Sequence, residues 1–168
     1  MEADAPLSAW DVGKHYDVRV WNAENIGGLS EADKRQLFVI DRESWWAFTI
    51  NYFGKNLIVV HPCQTKERMN SVIMHEMSHI ILGHELHAGA LSADGHLIPT
   101  NFDATQEAEA DWLGGTLLLP RPALLRIRSE GMSDRDASLH YCVSDQMLRW
   151  RIRMTGVDYQ IANRARRR

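Results

Sequence analysis

Residues 65–84 read TKERMNSVIMHEMSHIILGH, and the interpretation of the chain starts there. Met69, Val72, Ile73, Met77, Ile80 and Ile81 recur at three- and four-residue intervals, the period of a helix with one buried face. Thr65 stands where a helix N-cap is wanted, and Gly83 where the helix should end. Inside this pattern lies His75-Glu76-Met77-Ser78-His79. Helical residues four apart stand about 5–6 Å apart at Cβ on one face, so both imidazoles can reach a single Zn²⁺ at about 2.0–2.1 Å. Glu76 lies one residue round from His75, beside such an ion rather than on it. From there its carboxylate can take the proton of a water attacking a carbonyl.

A catalytic zinc takes three protein ligands and keeps a fourth position open. The next strong helical pattern, from about Thr105 to Leu119 and stopped by Pro120, offers Glu107-Ala108-Glu109-Ala110-Asp111. Glu107 and Asp111 are an i, i+4 pair on one face, while Glu109 points about 200° away from Glu107 and reads as a solvated residue. Glu107 is therefore the expected third ligand. Asp111, one turn on, is expected to accept a hydrogen bond from the far ring nitrogen of His75 or His79 and so fix its tautomer. An HExxHxxGxxH site would need a glycine at position 82 and a histidine at position 85, where this chain has Leu82 and Glu85. The other candidates for the third ligand are His84, His87 and His96, but His84 is expected to interact with the helix C-terminus, and His87 and His96 to lie in a solvated loop. His140, Tyr141 and Tyr52 are the candidates for stabilising an oxyanion; the sequence does not choose among them.

The 168 residues are 45% hydrophobic and 24% charged, the profile of an ordinary globular chain rather than a disordered or fibrous one. A chain of this size buries enough surface to fold without a structural metal, which leaves a bound metal free for catalysis. Cys63 and Cys142 lack CxxC spacing and read as two reduced thiols. The acidic opening Met1-Glu2-Ala3-Asp4-Ala5-Pro6 is unlike a secretory signal, and no apolar run approaches a membrane span. A cytoplasmic protein with no membrane partner is expected. The net charge of −3 is unevenly split. Residues 1–120 hold 8 Lys+Arg against 17 Asp+Glu, and residues 121–168 hold 11 Arg against 5 Asp+Glu. An acidic body thus carries a basic segment suited to an acidic partner, to nucleic acid or to the body itself.

Elsewhere, residues 30–42 read as a helix capped by Ser30. Trp45–Tyr52 and Leu57–His61 read as a β-hairpin turning at residues 53–56. Residues 85–103, with Gly89, Gly95 and Pro99, read as irregular. Arg135–Tyr141, a break at Val143-Ser144, and a helix from Asp145 to Met154 ending at Gly156 form a helix-turn-helix-like pair. The strand Leu57–His61 is expected to be an edge able to pair with an extended peptide. Arg164-Ala165-Arg166-Arg167-Arg168 reads as a solvated end.

Taken together, Arg68–His84, the stretch EAEADWLGGTLLLP at 107–120, and Val143-Ser144 followed by Arg151 and Gly156 resemble the ImmA/IrrE family of zinc metallopeptidases. That family pairs HExxH with a downstream E-x-x-A-N/D helix, a Leu-Leu-x-Pro-like stop and a Val-Ser turn. The resemblance spans residues 45–156 and gives the ligand role to His75, His79 and Glu107 and the general-base role to Glu76. It implies cleavage of a helix-turn-helix transcriptional repressor, here a separate chain. Gly114-Gly115 departs from the small pair usual in the family. Two glycines cost a helix about 1 kcal/mol each relative to alanine, and close approach to the HExxH helix would compensate. Trp112 also departs, standing where the family has a variable or polar residue.

The expected fold is α+β and zincin-like, a small β-sheet packed on the HExxH helix and a second ligand-bearing helix. Residues 1–120 would form the metallopeptidase core and 121–168 a helical, Arg-rich C-terminal extension. The expected function is that of a zinc-dependent endopeptidase of gluzincin type with one Zn²⁺ ion. The alternative is a noncatalytic, metal-stabilised regulator that binds a partner protein or DNA through its C-terminal part. Direct DNA binding is not favoured, because the last helix mixes apolar and basic residues round its circumference and the overall charge is negative.

Overall fold

The helix expected at 65–84 is the axis around which the other elements pack. In the computed structural model, which describes residues 3–52, 54–84, 90–91, 97–98 and 103–165, it runs Lys66–Leu82 (α3). The Thr65 side chain accepts from the Arg68 N–H and Gly83 ends the helix in a left-handed conformation. Before it come α1 (Ala9–His15), β1 (Arg19–Asn22), α2 (Glu31–Arg35), β2 (Ala47–Tyr52) and β3 (Lys55–Val60). After it come the short strands β4 (Ala90–Leu91) and β5 (Leu97–Ile98), then α4 (Ala104–Leu118), α5 (Arg121–Ser129), α6 (Asp134–Tyr141), α7 (Asp145–Thr155) and α8 (Val157–Ala165). The fold is α+β and zincin-like, and among the described residues no helix is long and apolar enough to cross a membrane.

Ser30 and Asp33 form a reciprocal capping box at α2, and a π-helical turn over Gln36–Ile40 completes the helical stretch read at 30–42. The hairpin is present, with Ala47 opposite Val60 and Tyr52 opposite Lys55. Leu57–His61 is not an edge, however. β1 pairs with β3 in parallel, Arg19 beside Leu57 through Asn22 beside Val60, so the sheet order is β1-β3-β2 and β3 is central. Arg-Val-Trp-Asn is too short and mixed to announce a strand. The continuous run Ile58-Val59-Val60, buried on both faces, is how a central strand reads. Within the segment read as irregular, β4 and β5 form an antiparallel pair, and the rest of 85–102 lies outside the described residues. So do His87 and His96 and the final three arginines.

Two adjacent glycines let α4 approach two different helices. A Cβ on Gly114 would sit 3.1 Å from Ser78 Oγ and 3.3 Å from the Met74 carbonyl oxygen, so this glycine brings α4 against the backbone of α3. A Cβ on Gly115 would sit 2.6 Å from Arg151 Cδ and 2.9 Å from a ring carbon of Trp150, so this one admits α7 instead. Arg151 is buried there. Its Nε and Nη2 donate to the Leu119 carbonyl at 3.4 and 3.2 Å, at the negative end of the α4 dipole. Trp112 packs edge-on against Trp150, with ring centroids 5.2 Å apart.

One apolar cluster joins Ile58 and Val60, Ile73, Met74 and Met77, Leu118 and Leu119, and Leu124, Ile127, Tyr141, Leu148 and Ile152. It draws on residues from both sides of position 120. Cys63 and Cys142 are both free thiols.

Polar side chains of α3 fasten the start of α1 and the turn between α6 and α7. Asn70, 2% exposed, accepts from the Ala9 N–H at 2.7 Å and donates to the carbonyls of Leu7 at 3.2 Å and Cys142 at 2.9 Å. Ser71 Oγ donates to the Glu67 carbonyl and accepts from the Ser144 N–H, both at 2.9 Å. Asn70→Ala would leave one N–H and two carbonyls without these partners. The expected loss is about 3 kcal/mol in urea unfolding, given a penalty of about 1–3 kcal/mol per unsatisfied buried group; a loss under about 1 kcal/mol would show that solvent replaces the side chain.

Candidate metal centre

His75 and His79 come from one face of α3, and Glu107 from the first turn of α4, whose start is fixed by Asp103 accepting from the Thr105 and Gln106 N–H groups. The two Nε2 atoms are 3.1 Å apart. Glu107 Oε2 lies 3.2 Å from His75 Nε2, and its Oε1 lies 3.6 Å from His79 Nε2. All three residues offer ligand atoms within 4.8 Å of one another. Four-coordinate bonds of about 2.0–2.1 Å place tetrahedral ligand atoms about 3.3–3.4 Å apart, so the spacing suits an ion of zinc's size.

The hydrogen bonds outside the cluster give a second test of that fit. The Asp111 carboxylate takes the Nδ1–H of His75 at 3.0 Å, as the sequence analysis anticipates. His84 Nε2–H donates to Glu109 Oε2 at 3.0 Å, which leaves His84 Nδ1 as an acceptor for the Nδ1–H of His79 at 2.9 Å. In these tautomers both imidazoles turn an Nε2 lone pair toward the Glu107 carboxylate. Two lone pairs and an anion at these distances repel, and a cation between them reverses the sign. Burial by itself pushes the His75 imidazole down. Its hydrogen bond to Asp111 and the charges of Glu76, Asp111 and Glu107 outweigh that and raise it above the ordinary histidine value. These surroundings favour positive charge.

The roles of His84 and Glu109 differ from expectation. Gly83 N–H bonds to the Ile80 carbonyl at 3.1 Å and His84 N–H to the His79 carbonyl at 3.0 Å, the paired bonds of a Schellman turn. That turn folds residue 84 back onto residue 79, so His84 reaches the His79 ring rather than the last carbonyls. Glu109 then meets His84 instead of standing in solvent alone. The left-handed glycine was the signal for this arrangement. Nothing in the sequence marked Thr49. Its hydroxyl, buried on β2, donates to Glu76 Oε2 at 2.5 Å and holds the carboxylate beside the cluster.

Among the oxyanion candidates, Tyr141 is fully buried on α6, and burial raises its hydroxyl above the usual phenol value. His140 is exposed, its ring 4.7 Å from that of Tyr141. Tyr52 is the last residue of β2. The structure brings together His75, His79, Glu107, Asp111 and Glu76; His140 and Tyr141 line no part of the groove that opens from this cluster. That groove has a volume of about 880 Å³ and runs from His75, Glu76 and Asp111 between α3 and α7.

The family model described as IrrE N-terminal-like domain, a peptidase family, matches residues 31–153. No curated protein and no solved structure matches the chain.

Competition of the metal-free chain against a chromophoric chelator should show one Zn²⁺ per chain, with the bound ion raising the thermal midpoint by mass action. His79→Ala and Glu107→Ala should each abolish tight binding. His84→Ala should weaken it about 10–100-fold, the usual effect of removing an outer partner of a metal-bound imidazole. Wild-type affinity in the His84 variant would mean that the imidazole chain does not orient His79.

Proposed function

Because the chain belongs to the IrrE N-terminal-like peptidase family, we propose that it is a zinc-dependent endopeptidase of gluzincin type that hydrolyses a peptide bond in a partner protein. His75, His79 and Glu107 are the proposed ligands of one Zn²⁺ ion, and Glu76 the proposed general base. The observation that carries this reading is the convergence of two outward-tied imidazoles on a carboxylate, with Glu76 held beside them by Thr49. Bound there, the ion would act as a Lewis acid on the scissile carbonyl and lower the pKa of a water.

The rest is the work of side chains. Glu76 takes a proton from the attacking water and passes it to the leaving amine. Thr49 donates to one of the Glu76 oxygens, which fixes the rotamer of the base. Asp111 and the His84–Glu109 pair keep both imidazoles in the Nδ1–H tautomer. The groove along α3 is the proposed seat of an extended substrate segment. The proposed partner is a helix-turn-helix transcriptional repressor, in keeping with the family resemblance.

A purified helix-turn-helix repressor is the substrate to test, with cleavage products identified by mass spectrometry. The zinc-loaded wild type should cleave it. Glu76→Gln should keep stoichiometric zinc and lose about 10²–10⁴-fold in rate, the range of general base catalysis. Thr49→Val should lower kcat about tenfold with little change in KM, since it removes only the orientation of the base. Undiminished cleavage by Glu76→Gln would reject Glu76 as the general base, and zinc binding without any cleavage by the wild type would favour a noncatalytic metal-stabilised regulator.

A further inference from the structure

We infer that the groove between α3 and α7 recognises an acidic side chain of an extended peptide, about three residues from the scissile bond, through Arg68, Arg149 and Arg153. The inference rests on the reading of His75, His79 and Glu107 as the hydrolytic centre and adds the substrate chemistry that centre would receive. Its first support is position. Arg68, Val72 and Glu76 succeed one another at i, i+4 spacing and all line the groove. Arg68 and His75 are seven residues apart on α3, about 10 Å at a rise of about 1.5 Å per residue. An extended chain advances about 3.3 Å per residue, so a substrate lying along α3 brings its third residue from the cleaved bond to Arg68.

The second support is charge. Arg149 and Arg153 face the groove from one side of α7, an i, i+4 pair across from Arg68. Among the described residues, none of the three forms an ion pair, whereas Arg126 and Arg128 on α5 are each tied to two carboxylates. The Arg68 guanidinium lies 3.8 Å above the Trp46 ring, and its Nε is buried without a hydrogen-bond partner. Stacking fixes the plane of the guanidinium, whose two terminal nitrogens offer a pair of donors that matches a carboxylate. Val72, Met147 and Trp150 supply apolar walls for the rest of the segment.

A peptide fits this chemistry better than duplex DNA. A recognition helix must stand out from the surface to enter a major groove about 12 Å wide, but α7 is one wall of a concavity. The far end of the groove carries Glu76 and Asp111, which would repel a continuous polyanion and leave room for an isolated carboxylate.

The test uses the full chain carrying Glu76→Gln, loaded with zinc, and short fluorescein-labelled peptides that differ only in holding Glu, Gln or Lys at one position. Anisotropy should show the Glu peptide binding about tenfold or more tighter than the Gln peptide, with the gap closing as salt is raised. Arg149→Glu combined with Arg153→Glu should remove the preference, as should Arg68→Gln alone. Arg149 and Arg153 are exposed on α7, so their replacement leaves the core intact. Equal binding of the Glu and Lys peptides, or a preference unaffected by these variants, would overturn the inference. So would a short duplex DNA that binds through the same three arginines and displaces the peptide. Cleavage of a randomised peptide mixture by the wild type separates the two readings. Products enriched in Asp or Glu three residues from the new terminus support both. No cleavage with the binding preference intact refutes the hydrolase and leaves the acidic-peptide groove standing; cleavage without acidic enrichment does the reverse.

Discussion

Two imidazole lone pairs and a carboxylate, held 3.1–3.6 Å apart, repel each other unless a proton or a metal ion stands between them. Much of the surrounding structure is explained by the need to keep them in place. α3 is fixed at both ends, by the Thr65 cap and the Gly83 turn, and α4 is brought against it by a glycine that faces the Met74 carbonyl. The outward ring nitrogens are tied to carboxylates, directly for His75 and through His84 for His79. Each hydrogen bond fixes a tautomer, and the tautomer fixes where the lone pair points. The arrangement thus favours a positive ion at this position.

How much of this could be read from the chain depends on whether the determining contact is local. The HExxH helix, its cap and its stop were legible because period, N-cap and C-terminal glycine act within a few residues. Glu107 and Asp111 were legible because an i, i+4 pair on a helix has only one arrangement. The pairing of β1 with β3 was not. Four mixed residues in parallel register with a strand some forty residues on leave no periodic trace, and the expected edge became the centre of the sheet. Thr49 escaped for a similar reason, since a hydroxyl on a strand says nothing of the helix it faces until the sheet is placed. His84 is an intermediate case. The Schellman turn that carries it back to His79 is written in Gly83, but the Glu109 that completes the chain arrives from a separate helix.

The segment beyond Pro120 is joined to the site by packing and by hydrogen bonds. Asn70 and Ser71, on the helix that bears the candidate ligands, hold the turn between α6 and α7 through the Cys142 carbonyl and the Ser144 N–H. Arg151 closes the C-terminal end of α4 from below, in space that Gly115 leaves open. α7 is thereby fixed relative to both helices of the site, and the wall it presents is set with the same precision as the cluster itself. Such coupling suits α7 to the proposed role in substrate recognition, which a flexibly tethered appendage could not hold.

The uneven charge of the chain takes on a different meaning once these contacts are known. As composition, a −9 body followed by a +6 segment suggests a basic tail seeking nucleic acid. In the folded chain part of that positive charge is consumed internally: Arg126 meets Asp4 and Glu130, and Arg128 meets Asp134 and Asp158. Arg151 is buried against a carbonyl. Arg149 and Arg153 look into the groove, facing Arg68 at one end and the carboxylates of the site at the other. A gradient from basic to acidic along about 10 Å of groove would orient a peptide carrying one negative residue, since the reversed chain would set that residue against Glu76 and Asp111. The charge asymmetry is in this view a device for placing a bond over the site, and its range is limited to the length of α3 between Arg68 and His75.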